Sequence, residues 1–573
     1  KIAIAAAEQA MRQSVNFPPS AGEIDRNVRL YRGFLQSSAA AADTQATVDT
    51  ANSIVDTFSN RDIVMHPQDY LNLWEDIGPQ FTSADYHSEM RAAFGGEPVL
   101  IFAQTNAPFE GGEAALLAAL NASRTTPVSA PAAVAQAQFP YTNFGKDSGV
   151  AERLEIADLG ITQIRFKNGA RLNIRPSQEE KGIVRMALRV QGGLLELPKK
   201  KAYSSAIEWL VVQGGLGKLT ADQLDDALSG DVLGQDWDSG LTAFTMSGTA
   251  KPDTALKLAQ TFGAFLTDPA YRPEALDAAK AQYARDLKTR RATAQQVLDW
   301  ESGAIYNDGD PRFQVVTEAE ANATTLAQVK AMIAPALKDG ALEMSVAGDI
   351  TVDAAIAMAG KTIGALKPRK PLRMGLLPAG TLRFPTAKTI ELSHDGRPDQ
   401  VLVEFAWPLT DISDNTRRVR ASAIAHQIAE TSLSLALRDK GLTYSASGDH
   451  EASNAIRGDG MMSLTVETKP QDLETVRAIV FETVKSLTEG TFTDDLLKRA
   501  REPMVSAREA SLKSNAYWLS VMSASQAIPE TLPQVRTRVS DFKTITREEI
   551  VAAAREYFVD NKRVEIRVMP AKP

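Results

Sequence analysis

Residues 160–174, GITQIRFKNGARLNI, carry the pattern of a β-hairpin. Apolar and polar side chains alternate from Ile161 to Phe166, which is the period of a strand with one buried face. Asn168-Gly169 is a dipeptide preferred in two-residue type I′ turns, and the residues from Ala170 to Ile174 return as a second strand. A further strand pattern runs from Ile183 to Val190. Together these patterns predict a β-sheet in this part of the chain.

The same order of elements returns near residue 389. A strand pattern from Thr389 to Leu392 precedes the turn dipeptide Asp395-Gly396 and a second strand from Val401 to Phe405. In both regions we expect a long helix to follow the strands. His394, which adjoins the turn dipeptide, is then expected to be a hairpin-turn residue.

Three segments repeat a second order of elements: a helix, a turn into further helix, a capped helix start and a final strand. Each capped start places Ser or Thr before an acidic or amide residue, which suits the unpaired N–H groups and the dipole of a first helical turn. Three such starts in the same order indicate a duplicated domain of about 200 residues, too long for a solenoid repeat. The opening helix, capped start and strand are 2–15, 81–85 and 98–102, then 253–266, 324–328 and 341–346, then 472–487, 545–549 and 564–568.

These repeats divide the chain into four parts. Residues 1–105 are the C-terminal half of a domain without its front strands, so we expect another chain or fragment to complete it. Residues 106–158 form a linker, and residues 159–366 and 367–573 are two complete copies. The predicted fold class is α+β, in which mostly antiparallel or mixed sheets are covered by long helices.

Composition excludes several kinds of protein. The 573 residues are 44% hydrophobic and 23% charged, which is ordinary for a globular chain. The formal net charge is −8 and no dense basic cluster occurs, so nucleic acid is not an expected partner. No apolar run is long enough to cross a bilayer, so no membrane partner is expected either. There is no cysteine, which excludes disulfides, thiolate metal sites and a cysteine nucleophile.

Several short motifs resemble those of the insulinase/pitrilysin family of zinc peptidases, particularly its bacterial periplasmic members. The resemblance implies that the chain spans the end of family domain two and all of domains three and four, and it implies a periplasmic location. In that family two halves, each of two homologous domains, close around an unfolded peptide. The motifs are YTNFG at 141–145, DLGI at 158–161, RFKNG at 165–169, GGLGK at 214–218 and LRDKGLTYS at 437–445.

The family's zinc motif, H-x-x-E-H on a helix, does not occur here. Two His four residues apart on one helix face hold the zinc, and the Glu activates water. The chain has five His, and no two have that spacing. The corresponding position is Ser205-Ala206-Ile207-Glu208-Trp209, where a single Glu cannot hold a metal that needs about three protein ligands. We therefore assign no catalytic and no metal-binding residue, and we assign zinc to the parent enzyme and not to this chain.

Two further His residues are candidate metal ligands. His426 and Glu430 stand four residues apart on one predicted helix, so they are either a ligand pair or a structural His–Glu pair. No third ligand with matching spacing accompanies them, which favours the structural interpretation. His450 is expected in a loop.

Arg438 and Tyr444 are the predicted substrate-binding residues. The resemblance implies that the Arg donates hydrogen bonds to a peptide carbonyl and that the Tyr hydroxyl supports the oxyanion of the tetrahedral intermediate. The spacing between them is one residue shorter than in the family pattern, which rotates the Arg by about 100° on a helix. The alternatives are a charge at the helix C-terminus for Arg438 and a buried structural Tyr444.

The predicted function is therefore the zinc-free C-terminal half of an insulinase-type metalloendopeptidase. It forms part of the substrate chamber and assists a catalytic N-terminal half, which belongs to the same precursor or to a separate chain. The alternatives are an inactive structural homologue, an inactive partner in a heterodimer, or a peptide-binding module without catalysis. An H-x-x-E-H motif upstream of Lys1 distinguishes the first possibility from the others.

Overall fold

The computed structural model describes residues 2–96, 102, 110–131, 137–442 and 446–571. The chain forms two compact units. The helical unit contains Lys1–Pro140, Lys181–Ile183 and Asp222–Leu233, and the two-sheet unit contains Tyr141–Glu180, Val184–Ala221 and Gly234–Pro573. None of the described helices combines the length and the apolar character needed to span a bilayer.

Helices make up most of the described structure. In chain order they are α1 Ile2–Asn16, α2 Ala21–Ala41, α3 Thr47–Ser59, α4 Pro67–Ile77, α5 Ser83–Phe94, α6 Gly112–Thr125, α7 Ala206–Val212, α8 Ala221–Leu228, α9 Ala255–Thr267, α10 Pro273–Thr289, α11 Ala294–Tyr306, α12 Glu318–Ala323, α13 Leu326–Asp339, α14 Val352–Lys361, α15 Thr416–Asp439, α16 Leu473–Glu489, α17 Asp494–Ser511, α18 Asn515–Met522, α19 Thr531–Thr544 and α20 Arg547–Tyr557.

The described strands all follow residue 149. They are β1 Val150–Ile156, β2 Ile161–Phe166, β3 Arg171–Pro176, β4 Val184–Gln191, β5 Val232–Ser239, β6 Ala243–Ala250, β7 Leu342–Gly348, β8 Lys388–His394, β9 Val401–Pro408, β10 His450–Ala452, β11 Gly460–Thr468 and β12 Val564–Pro570.

The two sheets share one topology. The seven-stranded sheet has the order β1-β2-β3-β7-β4-β6-β5, and the five-stranded sheet has the order β10-β11-β9-β12-β8. Read from its other edge, the second sheet matches the last five strands of the first, position for position. The outer pairs β3–β7 and β8–β12 are parallel, and the next pairs β7–β4 and β12–β9 are antiparallel. The α+β fold class predicted from the repeats is therefore confirmed. The four domain boundaries given above stay a prediction.

The capped helix starts form as predicted. Thr82, Thr325 and Thr546 each accept a hydrogen bond from the backbone N–H three residues later, and the side chain at that later position returns a bond to the cap. Each capping box satisfies two N–H groups that have no partner within the helix. Of the final strands, β7 and β12 are present, whereas residues 98–101 of the first predicted strand lie outside the described residues.

The hairpin between β2 and β3 forms, but its turn is not the predicted one. The Gly169 N–H donates to the Phe166 carbonyl, so Lys167 and Asn168 are the central residues of the turn. Gly169 has φ of 91° and follows that turn, as in three-residue hairpin loops. Asn168 is buried and donates to the carbonyls of Ile363 and Leu366 at 2.8 and 3.0 Å. The prediction of a type I′ turn at Asn168-Gly169 was wrong, because the turn is centred one residue earlier and Gly169 follows it.

The prediction of a hairpin around Asp395-Gly396 was also wrong. Strand β12 lies between β8 and β9, so the segment after His394 crosses over it and is not a tight turn. His394 is fully buried, accepts from the Gly396 N–H at 3.1 Å and donates to the Gln400 carbonyl at 2.9 Å. A long helix was expected after each pair of strands, but only the second is long. Helix α15 has 24 residues, whereas α7 has 7.

Each sheet is packed against a helix that the chain supplies between strands of the other sheet. Helix α11 precedes β7 in the chain but packs on β8, β9 and β12, where Val297 and Leu298 contact Leu402 and Ile566. Helix α18 precedes β12 but packs on β4 and β7 of the first sheet. All seven residues of β7 are buried as a result, as expected for a strand covered on both faces.

A buried carboxylate accompanies each exchanged helix. Glu404 of β9 accepts a hydrogen bond from the Tyr306 hydroxyl at the end of α11. Glu343 of β7 accepts from the N–H groups of Gln526 and Ala527 at 2.8 and 3.3 Å, just after α18. The two Glu residues are 4% and 1% exposed, and burial raises the pKa of both carboxyls. The donors are therefore needed, because a buried carboxyl without a partner is costly.

We expect Tyr306→Phe to lower the free energy of unfolding of the two-sheet unit by about 2 kcal/mol, because Glu404 loses a donor that it cannot replace with water. The measurement is thermal and urea unfolding followed by circular dichroism. Tyr31→Phe in the helical unit is the control, since Tyr31 is 47% exposed. A Tyr306→Phe protein as stable as the parent would contradict the role given to this hydrogen bond.

Candidate functional site

The segment that corresponds to the zinc motif lies at the start of α7. Ser205 is the N-cap residue, Trp209 is half-buried and Glu208 is exposed. Partial burial and the negative charges of Asp236 and Asp238 raise the pKa of the Glu208 carboxyl. Across the parts of the chain that the structure describes, no cluster of three or more His, Asp or Glu side chains could hold a metal ion.

In the second sheet, helix α15 follows β9 as α7 follows β4, and it carries an imidazole. His426 is buried, and its Nε2 donates to the Ser463 carbonyl on β11 at 2.7 Å. The His450 ring lies 5.9 Å from the His426 ring, and its Nε2 donates to the Ser422 hydroxyl at 2.8 Å. Burial lowers the pKa of His426, and burial together with His426 lowers the pKa of His450 to about 4. Both rings are therefore neutral at pH 7.

These contacts revise two predictions made from the sequence. Glu430 does not pair with His426, because the imidazole bonds across to β11 while Glu430 accepts from Gln427 at 3.1 Å. The choice of a structural role over a ligand role agrees with this geometry, although the predicted partner was wrong. His450 is the first residue of β10 and not a loop residue.

The predicted substrate-binding residues lie at and beyond the end of α15. Gly441, with φ of 67°, ends the helix, and the N–H groups of Gly441 and Leu442 donate to the carbonyls of Arg438 and Leu437 at 2.9 and 3.0 Å. This pair of bonds is a Schellman motif. The Arg438 side chain is exposed in the last turn. Tyr444 lies outside the described residues, so the pair stays a prediction.

The two-sheet unit contains a cavity of about 980 Å³. One side is formed by strand ends and connections of both sheets, including the β5–β6 connection and residues 450–461. The other side is formed by α15, α17, α18 and α19. Its volume is at the upper end of the range of roughly 300–1,000 Å³ for ligand pockets.

Sequence reasoning did not find the polar side chains of this cavity. Among them are Arg189, Tyr306, Arg420, Arg508, Tyr517 and Arg538. Their positions in sequence span more than three hundred residues, so no local spacing connects them. The available signal was the presence of aromatic residues close in sequence to Arg508 and Arg538, and that pattern is too common to be specific.

The two-sheet unit contains two copies of one mixed α+β arrangement, and each copy supplies a helix that packs on the sheet of the other. Residues 324–504 match the family model described as the peptidase M16 inactive domain. The chain is 22% identical over 477 residues to the chloroplastic stromal processing peptidase of Arabidopsis thaliana, and the match covers 71% of this chain. These matches make residues 324–504 similar to the inactive domain of the peptidase M16 family.

Solved structures show the same fold. The periplasmic protease PqqL from Escherichia coli matches 99% of this chain with a TM-score of 0.65 and 14% identity. A peptidase M16 inactive domain from Pseudomonas fluorescens matches 72% of this chain with a TM-score of 0.60 and 18% identity, over 98% of its own length. The chain spans only 36% of the stromal processing peptidase and 63% of PqqL.

We expect the buried imidazoles to make the protein less stable in acid. Between pH 6.5 and about 4 the unfolded chain binds a proton at His450 that the folded chain does not, so stability falls as the pH falls. The loss approaches about 1.4 kcal/mol per pH unit in that range. His450→Gln, measured by urea unfolding between pH 4.5 and 7.5, should have a shallower slope than the parent. Equal slopes in the two proteins would exclude His450 as a source of the acid lability.

Proposed function

We propose that this chain is the zinc-free half of an insulinase-type metalloendopeptidase and that it forms a wall of the chamber in which a peptide is cleaved. The observation that carries the proposal is the match of residues 324–504 to the family's inactive domain in a chain without any H-x-x-E-H motif. Such a chain contributes surface and side chains, while a catalytic half supplies zinc and the base that activates water.

The division of labour follows from the chemistry at α7. A catalytic zinc site needs about three protein ligands and an open position for water. Ser205 and Trp209 occupy the places of the two imidazoles, and Glu208 has carboxylates and no imidazole beside it. We therefore propose residues 159–366 as the inactive third domain of the family, residues 367–573 as the fourth, and residues 1–105 as part of the second, with 106–158 as the linker.

Arg438 and Tyr444 are proposed to contact the peptide. The Schellman motif ends α15 just after Arg438 and fixes the position of this residue in the last helical turn. In the sequence, Tyr444 follows three residues after Gly441. A guanidinium can donate two hydrogen bonds to a peptide carbonyl, and a phenol can donate to an oxyanion. We also propose a periplasmic location, which the likeness to a periplasmic protease and the absence of cysteine support.

The test compares this chain alone with the chain combined with a catalytic half from the same source that carries H-x-x-E-H. Zinc content is measured by atomic absorption, and cleavage is measured with an unfolded fluorogenic peptide. We expect less than stoichiometric zinc and no cleavage from the chain alone, and both with the catalytic half. Stoichiometric zinc in the isolated chain would overturn the proposal. Zinc without any stimulation of cleavage in the combined sample would favour the structural homologue.

In the combined sample we expect Arg438→Ala and Tyr444→Phe each to lower kcat/KM by about 10-fold or more, because each removes a hydrogen bond to the peptide or to its transition state. Zinc content should not change. Lys440→Ala is the matched control, since Lys440 is exposed at the same helix end. Loss of activity in the Lys440 variant as well would show that the helix end, and not a substrate contact, had been disturbed.

A further inference from the structure

We propose that the helical side of the 980 Å³ cavity binds an oxyanion, such as the carboxylate of a peptide, through Arg508, Arg538 and Tyr517. This inference rests on the proposed function, because it names the chemical group that the chamber wall recognises. Arg508 lies on α17, Tyr517 on α18 and Arg538 on α19, so three helices of the same unit form the site.

Positive charge exceeds negative charge on this side of the cavity. Arg420, Arg508 and Arg538 all line it, and Asp541 is paired with Arg420 and, on its other oxygen, with Arg417. Within the described residues neither Arg508 nor Arg538 forms an ion pair. Two guanidinium groups therefore face the cavity without a carboxylate, an arrangement that attracts an anion strongly where water is partly excluded.

The unpaired groups are held in fixed orientations. The Arg508 guanidinium carbon lies 3.6 Å from the centre of the Phe542 ring, and its Nη1 donates to the Met504 carbonyl at 2.9 Å. The Arg538 guanidinium carbon lies 4.7 Å from the centre of the Tyr517 ring. Stacking on an aromatic ring fixes the plane of a guanidinium, so less conformational entropy is lost when it binds a planar carboxylate.

Two of these polar atoms are buried without a protein partner. They are Nε of Arg508 and the hydroxyl oxygen of Tyr517. Buried donors are almost always satisfied, and an exception calls for an explanation, such as a bound ion or water. The positive charges of Arg538 and Arg420, in addition to burial, lower the pKa of Arg508 to about 10. A bound anion would reverse that repulsion and supply acceptors to both donors.

The rest of the cavity favours a peptide over a small free anion. Its carboxylates, Asp238, Glu451 and Asp459, come from strands and connections of the sheets and not from the arginine-bearing helices. The sheet side also carries Arg189 of β4, but its carboxylates outnumber that one guanidinium, whereas the helical side is basic. A space of this volume holds several residues of a chain, whereas phosphate would fill a small part of it. We infer that the carboxylate of a peptide is the ligand, and free phosphate is the other source of the same chemistry.

Isothermal titration calorimetry on the whole chain tests the inference at constant ionic strength. The probes are an acetylated and amidated nonapeptide of Ala and Ser with one central Glu, the same peptide with Gln in that place, and inorganic phosphate. We expect the Glu peptide to bind and the Gln peptide to bind at least about 10-fold more weakly, as is typical when one charged hydrogen-bonding group is removed. Binding of phosphate in place of the Glu peptide would identify a free anion as the ligand.

Variants connect the binding to the named residues. Arg508→Gln with Arg538→Gln should abolish the preference for Glu over Gln, and Tyr517→Phe should reduce it without changing charge. Arg499→Gln is the matched control, because Arg499 lies on α17, is 60% exposed and pairs with Asp495. If circular dichroism shows that the double variant is unfolded, the Arg538→Gln and Tyr517→Phe single variants are used to test whether the preference for the Glu peptide depends on these residues.

The inference is overturned when the parent binds none of the probes, or when the Arg and Tyr variants bind the Glu peptide as the parent does. This outcome is separate from failure of the proposed function. If the chain restores cleavage to a catalytic half but binds no anion, only the inference of an anion site is wrong. If the chain binds the anion but restores no cleavage, the proposed role in the peptidase chamber is wrong.

Discussion

The two-sheet unit depends on an exchange of helices that satisfies two buried carboxylates. Glu404 in one sheet bonds to Tyr306 from α11, and Glu343 in the other bonds to the backbone after α18. Each helix is supplied by the part of the chain that forms the opposite sheet. Separation of the two parts would uncover apolar faces and leave each carboxyl without an important donor. The cost of a buried carboxyl that loses its partner is several kcal/mol, comparable with much of a domain's stability.

The exchange also explains the shape of the cavity. Because α18 leaves its own sheet to cover β7, the space beside β10 and β11 is closed by neighbouring helices and not by α18 packing flat on those strands. Residues from both sheets and from α15, α17, α18 and α19 then line one cavity. Tyr306 lines this cavity and also bonds to Glu404, so the wall of the cavity and the contact that holds the sheets together share a side chain.

Local features of the fold were predictable from the sequence. The hydroxyl caps at Thr325 and Thr546, the alternation in β2 and the mostly apolar run of β9 are set by chemistry within a few residues. The order of the strands was not predictable from such signals. That β12 inserts between β8 and β9 depends on pairing across more than a hundred residues, and the Asp395-Gly396 dipeptide wrongly indicated a local turn. The turn at Asn168 also differs from the local prediction, since its centre lies one residue earlier, and the long-range hydrogen bonds of the Asn168 side chain to residues 363 and 366 have no local signal.

The features of the candidate site that depend on the spacing of residues in the sequence were predictable. Those that depend on residues brought together by the fold were not. A zinc motif spans five consecutive residues of a helix with its two His on one face, so its absence could be recognised from Ser205 and Trp209 alone. The anionic surroundings of Glu208 come from Asp236 and Asp238, which only the fold brings near it. On the helix in the matching position of the second sheet, His426 is used to hold β11. The repeated topology thus supplies a helix at the same place twice, and the side chains on it determine that neither copy gathers the imidazoles that a metal needs. The residues proposed for recognition in this chain are arginines and tyrosines, which bind charge and hydrogen-bond acceptors without a metal.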